Sequence, residues 1–178
     1  MKFLLIFLCV GALCTAKPPE DPTAGLWQGY AGEWDHVSRQ LIDLANAFPE
    51  SKLSWRPSAG VRSTSEVLMH VAIANYMLLS VTGQPMPVEL KSATAEKSIA
   101  TKSDVISWLS RSLDAVKKAH AGLTSSDMQR KVSIAGKTVT ADGIYLRLIV
   151  HANEHMGQLI AYARVNGVAP PWSQAAGR

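Results

Sequence analysis

Cysteine is almost missing from this 178-residue chain: Cys9 and Cys14 are the two it has, and both lie within the first sixteen residues. From Lys17 onward there is none, which excludes a disulfide framework, a thiolate metal ligand and a cysteine nucleophile from the folded part. Charge of one sign is also scarce. Formal net charge is +4, falling to +3 without Lys2, and the basic residues are spread along the chain. No basic cluster of the kind that grips nucleic acid is present, so nucleic acid is not an expected partner. There is no internal repeat, no low-complexity block, and only one long apolar run, at the very start.

That run, Phe3 to Leu13, follows a charged Lys2 and leads to the small residues Thr15 and Ala16, with Lys17-Pro18-Pro19 opening a polar stretch. It has the layout of an export signal over residues 1–16, and it is too short for a comfortable transmembrane helix of about 20 residues. The expectation is an exported protein, periplasmic or secreted, cleaved near Ala16 and left without a stable membrane anchor. Residues 17–178 are then enough for a single domain with a sizeable core.

Four apolar-periodic segments follow. Tyr30, Trp34, Val37, Leu41, Leu44 and Phe48 recur at spacings of four and three, which predicts a helix from about Gly25 to Phe48, stopped by Pro49. His36 sits beside that stripe as a partly exposed side chain. Trp55-Arg56-Pro57 and Gly60 mark a long connection, with Trp55 as a plug over the bundle end. Ser63-Thr64-Ser65-Glu66 spells a capping box for a second helix running to about Val81, with Val67, His70, Val71, Ala74, Met77 and Val81 as its inward stripe.

Residues 85–100 have no clear period. A third helix is expected from Thr101 or Ser103 to Ala121 on a stripe of Val105, Leu109, Leu113 and Val116, with Trp108 alongside. His120 falls in its last turn, where a cation complements the helix dipole. Lys131 to Thr140 alternates about Ala135-Gly136 as a short β-hairpin. Thr140 can cap a last long helix that stops at Asn166-Gly167 in a left-handed turn. The fold class is therefore all-α: a four-helix bundle with a short β-hairpin before the last long helix.

Within that last helix lies His151-Ala152-Asn153-Glu154-His155. At about 100° per residue the two histidines are roughly 40° apart on one face, the face that carries Ile144, Leu148, Leu159 and Tyr162. His70 is a third histidine on an inward stripe. Two readings stand side by side: unrelated core histidines bonded to backbone or water, or three ligands of one divalent ion with a fourth position open. Neutral imidazoles suit Zn²⁺ or Ni²⁺ rather than Mg²⁺ or Ca²⁺. Asn153, Glu154, Glu66 and Gln158 are candidates to fix the imidazole tautomers, and Glu154 or Glu66 to orient a ligand or relay a proton. The five residues also match the H-x-x-E-H pattern of inverted zinc peptidases, with Glu154 as base. Those enzymes take a further ligand well downstream, whereas the 23 residues after His155 include no acidic one.

At these positions the chain resembles the DinB / YfiT-like superfamily. One segment of the resemblance is Trp55 through Ser63, then Glu66, His70 and Ala74-Asn75-Tyr76. The other is His151 through Gln158, with Tyr162, Arg164, Gly167 and Pro170-Pro171-Trp172, so that it spans residues 23–173. It implies an up-down-down-up bundle, a homodimer, and a Zn²⁺ or Ni²⁺ ion on His70, His151 and His155. Relatives with assigned activity include metal- and thiol-dependent S-transferases and maleylpyruvate isomerases. A metal-dependent enzyme of hydrolase or thiol-dependent transferase type, acting on an unidentified small molecule, is the functional expectation; a non-catalytic exported metal- or ligand-binding bundle is the alternative. The export signal departs from the family pattern, because an exported protein meets little free thiol.

Overall fold

The computed structural model describes residues 28–174, so the expected leader at 1–16 and the first residues of the expected first helix lie outside the described part. Four long helices make the bundle: α1 (Gly29–Ala47), α2 (Thr64–Val81), α4 (Lys102–Ala121) and α6 (Ala141–Val165). Short helices α3 (Ala95–Ser98), α5 (Ser125–Gln129) and α7 (Pro171–Gln174), with two single 3-10 turns, fill the connections. Strands β1 (Lys131–Ile134) and β2 (Lys137–Thr140) form the hairpin.

The helix ends follow local chemistry. Phe48 is already extended before Pro49, as a residue preceding proline prefers. Ser63 Oγ accepts from the Glu66 amide, and the Glu66 carboxylate accepts from the Ser63 amide at 2.8 Å, completing the expected capping box. Thr140 accepts from the Gly143 amide and starts α6. At its far end the Val168 amide reaches Ala163 O at 2.8 Å around Gly167 at φ +74°, a Schellman stop. In the hairpin, Ala135 and Gly136 both have positive φ, 48° and 74°, as a two-residue type I′ turn requires.

Side-chain pairings set the helix directions. Tyr30 stacks on His120 at one end of the α1–α4 pair, and Lys102 Nζ donates to Asn46 O and Phe48 O at the other, so α1 and α4 are antiparallel. Tyr162 near the end of α6 donates to Arg62 O just before α2, while Tyr145 near its start lies beside Thr82 just after α2. These two are antiparallel as well. Tyr30 and Tyr145 meet edge to face near the N-termini of α1 and α6, which are therefore parallel. The order is up-down-down-up, with α1 and α2 each packed between α4 and α6.

The core is formed by Trp34, Val37, Leu41, Leu44 and Phe48 of α1, Val105, Leu109, Leu113 and Val116 of α4, and Ile144, Leu148, Leu159 and Tyr162 of α6, as their periodicity predicts. The α2 stripe is different. Met77 is 42% exposed, while Leu68, Ala72, Asn75 and Leu79 are buried on the side expected to face solvent. The cause is tertiary: α4, α6 and the short α3 cover three sides of α2, so burial wraps most of its circumference. Among the described residues α2 alone is long and apolar enough to cross a membrane, and 72% of it is buried as a core helix. Its one buried amide, Asn75, donates to Ser112 Oγ at 3.1 Å, and Ser112 in turn donates to Leu109 O.

Candidate metal centre

Because α2 and α6 run antiparallel, His70 lies level with the segment His151–His155. The three rings converge: their centroids are 5.1 Å apart for His70 and His151, 4.7 Å for His70 and His155, and 4.6 Å for His151 and His155. One ring nitrogen from each lies within 4.8 Å of the others. The Nε2 atoms of His70 and His151 face one another at 3.2 Å. A tetrahedral centre with metal–nitrogen bonds of about 2.0–2.1 Å spaces its nitrogens about 3.3 Å apart and its ring centroids about 5 Å apart. The spacing therefore fits one small divalent ion.

Hydrogen bonds on the far side of two rings fix which nitrogen faces inward. His70 Nδ1 lies 3.0 Å from Glu96 Oε2, and a carboxylate can only accept, so Nδ1 carries the proton and Nε2 its lone pair. His155 Nδ1 lies 2.9 Å from Gln158 Oε1. The Gln158 amide is oriented by its own donation to Tyr162 Oη at 2.8 Å, and Tyr162 donates onward to Arg62 O. His155 thus also presents Nε2. His151 is 8% exposed, and its Nδ1 is buried without a partner. With Nε2 turned to the cluster as a lone pair, the His151 proton sits on this unpartnered Nδ1, a cost that a bond from Nε2 to an ion has to outweigh.

Electrostatics keep His70 and His151 in the ligand form. Burial, then the neighbouring His155 and His70, lower the His151 pKa to about 4. Burial and Arg62 also lower that of His70, against the opposing pull of Glu96. Neutral imidazoles are what a divalent ion needs.

The other sequence candidates are placed differently. Glu154 points to solvent on α6, where Arg147 binds both of its oxygens at 2.9 and 2.8 Å. Glu66 is the capping residue of α2; its remaining oxygen takes Arg56 at 3.0 Å, and it touches none of the three histidines. Asn153 donates to Ile149 O of its own helix. Of the four tautomer candidates, Gln158 is the one in contact with a histidine. His36 is half-buried on α1 and belongs to no such cluster among the described residues. His120 does not act as a terminal cation. Its ring stacks on Tyr30 at 3.9 Å and meets Tyr145 edge on, and burial lowers its pKa. Trp55 lies edge to face on Tyr162 at 5.2 Å, closing the bundle end beside the site.

Glu96 is the residue that sequence reasoning missed. It comes from α3, inside the connection that lacks a period, held against α2 by the buried Ala95 and Leu90. Its other oxygen accepts from Arg62 Nε at 2.6 Å. An acidic residue in a long loop carries no periodic signal, so nothing local in the sequence marks it.

Comparison with known proteins agrees with the fold. A DinB-like protein from Bacillus cereus ATCC 10987 superposes with a TM-score of 0.71 at 20% identity, covering 81% of this chain and 95% of that one. A DinB-like protein from Bacillus subtilis gives 0.62 at 17% identity, over 78% and 91%. YfiT from Bacillus subtilis, described as a probable metal-dependent hydrolase with an unusual four-helix bundle topology, gives 0.62 at 14% identity, over 86% and 95%. At these identities the likeness is one of fold. No curated protein matches the chain significantly. The profile of the DinB superfamily matches residues 33–159, most of the chain and all three histidines, and the chain belongs to that superfamily.

Proposed function

We propose that the protein is a metal-dependent enzyme that holds one divalent ion, Zn²⁺ or Ni²⁺, on the Nε2 atoms of His70, His151 and His155. The observation that carries this reading is the convergence of three imidazoles, two of them locked by Nδ1 partners so that their lone pairs face a common point. When bound, such an ion supplies a Lewis acid with an open position for a substrate oxygen or sulfur. The chain's own residues supply the rest. Glu96 holds the His70 ring and raises its basicity; Gln158, itself oriented by Tyr162, holds the His155 ring. Trp55 and Tyr162 close one flank against water.

The reaction class is hydrolysis or thiol-dependent group transfer on a small molecule. YfiT, the fold relative described as a probable metal-dependent hydrolase, supports the first by analogy. Export, supported by the leader at residues 1–16, weighs against a thiol cofactor, and the lack of cysteine beyond residue 16 means that any thiol would come from outside. A homodimer is part of the proposal, supported by the exposure of Leu146 and Val150 on α6 and of Met77 on α2. The N-terminus of the exported protein tests localisation: a chain beginning near Lys17 supports it, and an intact Met1 in the cytoplasm opposes it.

One observation favours a second reading, a non-catalytic exported metal- or ligand-binding bundle. Glu66, Glu96 and Glu154 each have both carboxylate oxygens engaged, so none stands free as a base. Turnover across hydrolase and thiol-transfer panels, abolished by a chelator and restored by one metal, decides for the enzyme. Stoichiometric metal without turnover decides for the binding protein.

A further inference from the structure

A polar cleft of about 440 Å³ opens beside the histidine cluster, walled by Arg56, Arg62, Glu66, Glu96, Lys97 and Gln158. Two of these residues belong to both places: Glu96 holds His70 and Gln158 holds His155. A molecule in the cleft is therefore separated from the imidazoles by a single side chain.

The donors and acceptors of the wall are unequal. Glu66 spends one oxygen on the Ser63 amide and the other on Arg56. Glu96 spends its two on Arg62 and His70. The Gln158 oxygen is taken by His155. The side-chain acceptors are thus engaged by the protein itself, while donors remain. Arg62 uses only Nε toward another side chain, leaving its terminal N–H groups, and the exposed Lys97 ammonium makes no hydrogen bond among the described residues. Burial works against the charge of Glu66, but the Ser63 amide, Arg56 and Lys97 together hold its pKa below the ordinary range, so it stays an acceptor already in use. Three cations against two carboxylates leave the wall net positive. A cationic ligand would meet this excess of positive charge and carboxylates already neutralised by it. An oxyanion would find both a guanidinium edge and an ammonium.

We infer that this cleft binds the anionic group of a small substrate, a carboxylate or a phosphate, on Arg62 and Lys97, with the rest of the molecule directed to the histidines. The direction of the ligand rests on the proposed metal site; the binding of its anion does not.

Calorimetric titration of inorganic phosphate and of succinate into the full chain at low ionic strength tests this, with metal content measured on the same samples. Low salt matters because exposed cations are screened over about 10 Å at 0.1 M. The expected result is saturable binding of at least one probe, the tighter probe identifying the kind of anion. Arg62→Gln should weaken it about tenfold or more, as for a charged hydrogen bond, and Lys97→Gln about threefold. Lys117→Gln, whose ammonium pairs with Asp35 elsewhere on the bundle, should leave it unchanged. Arg62→Gln also loosens Glu96; Lys97→Gln disturbs no hydrogen bond and keeps the test clean. No saturable binding of either probe, or equal affinity in the parent and both cleft variants, overturns the inference. Binding by protein that takes up no metal keeps the anion site and removes the metal proposal; metal without binding does the reverse.

Discussion

Glu96 Oε2 lies 3.0 Å from Nδ1 of His70, across 26 residues of sequence and from a helix of only four residues. That contact decides which nitrogen of His70 faces the other two histidines. Replacing Glu96 with Gln or Ala is expected to lower affinity for the proposed ion by about 10- to 100-fold, the usual effect of removing a partner that orients a ligand. Competition with a chromogenic chelator reads this directly. Unchanged affinity in both variants would mean that the His70 ring is held by packing alone.

Glu154 gives the complementary expectation. Its carboxylate is committed to Arg147 on the solvent side of α6, so Glu154→Gln should leave metal affinity within about twofold, as expected for an exposed ion pair away from the site. A loss comparable to that of Glu96→Gln would show that Glu154 reorients toward the histidines in solution.

Stability of the metal-free protein should fall in mild acid. Burial against Tyr30 and Tyr145 lowers the His120 pKa below its ordinary 6.5, and Asp142 only partly opposes this. The unfolded chain then binds a proton near pH 6.5 that the native state resists, so unfolding free energy decreases as pH drops below 6.5. His70 and His151 act in the same direction, His151 down to about pH 4. Urea titrations between pH 7.5 and 4.5 should show the slope, and His120→Asn should flatten it. A slope that the substitution leaves unaltered would contradict a half-buried His120 that stays neutral.

The capping box is a local contribution to the same bundle. Ser63→Ala removes the acceptor for the Glu66 amide and should cost about 1 kcal/mol, within the range of 0.5–2 kcal/mol for such caps. Equilibrium unfolding measures it, and a change below a few tenths would mean that α2 is held by burial without help from its cap.

What was legible in the chain was whatever depends on near neighbours. The α1, α4 and α6 stripes, the cap at Ser63, the Ala135-Gly136 turn and the stop at Gly167 follow from spacings of a few residues. The pairing of His151 with His155 is of that kind. What was hidden depends on which elements meet. Met77 falls on an inward stripe only if α2 has one buried face, whereas three neighbours bury the helix nearly all round and leave Met77 itself 42% exposed. His120 looked like a helix-end cation because its partner, Tyr30, is ninety residues away. Glu96 had no local pattern at all. The helix directions likewise came from family resemblance, since long connections between bundle helices allow more than one order.

The central claim is that His70, His151 and His155 hold one ion together. Metal content of the protein, purified without a metal-affinity tag and compared with His70→Ala, His151→Ala and His155→Ala, tests it most directly. The account predicts about one Zn²⁺ or Ni²⁺ per chain in the parent and its loss in each variant, with the helical signal retained. No metal in the parent after reconstitution, or variants that bind as tightly as the parent, would contradict it and return the three histidines to the bundle core.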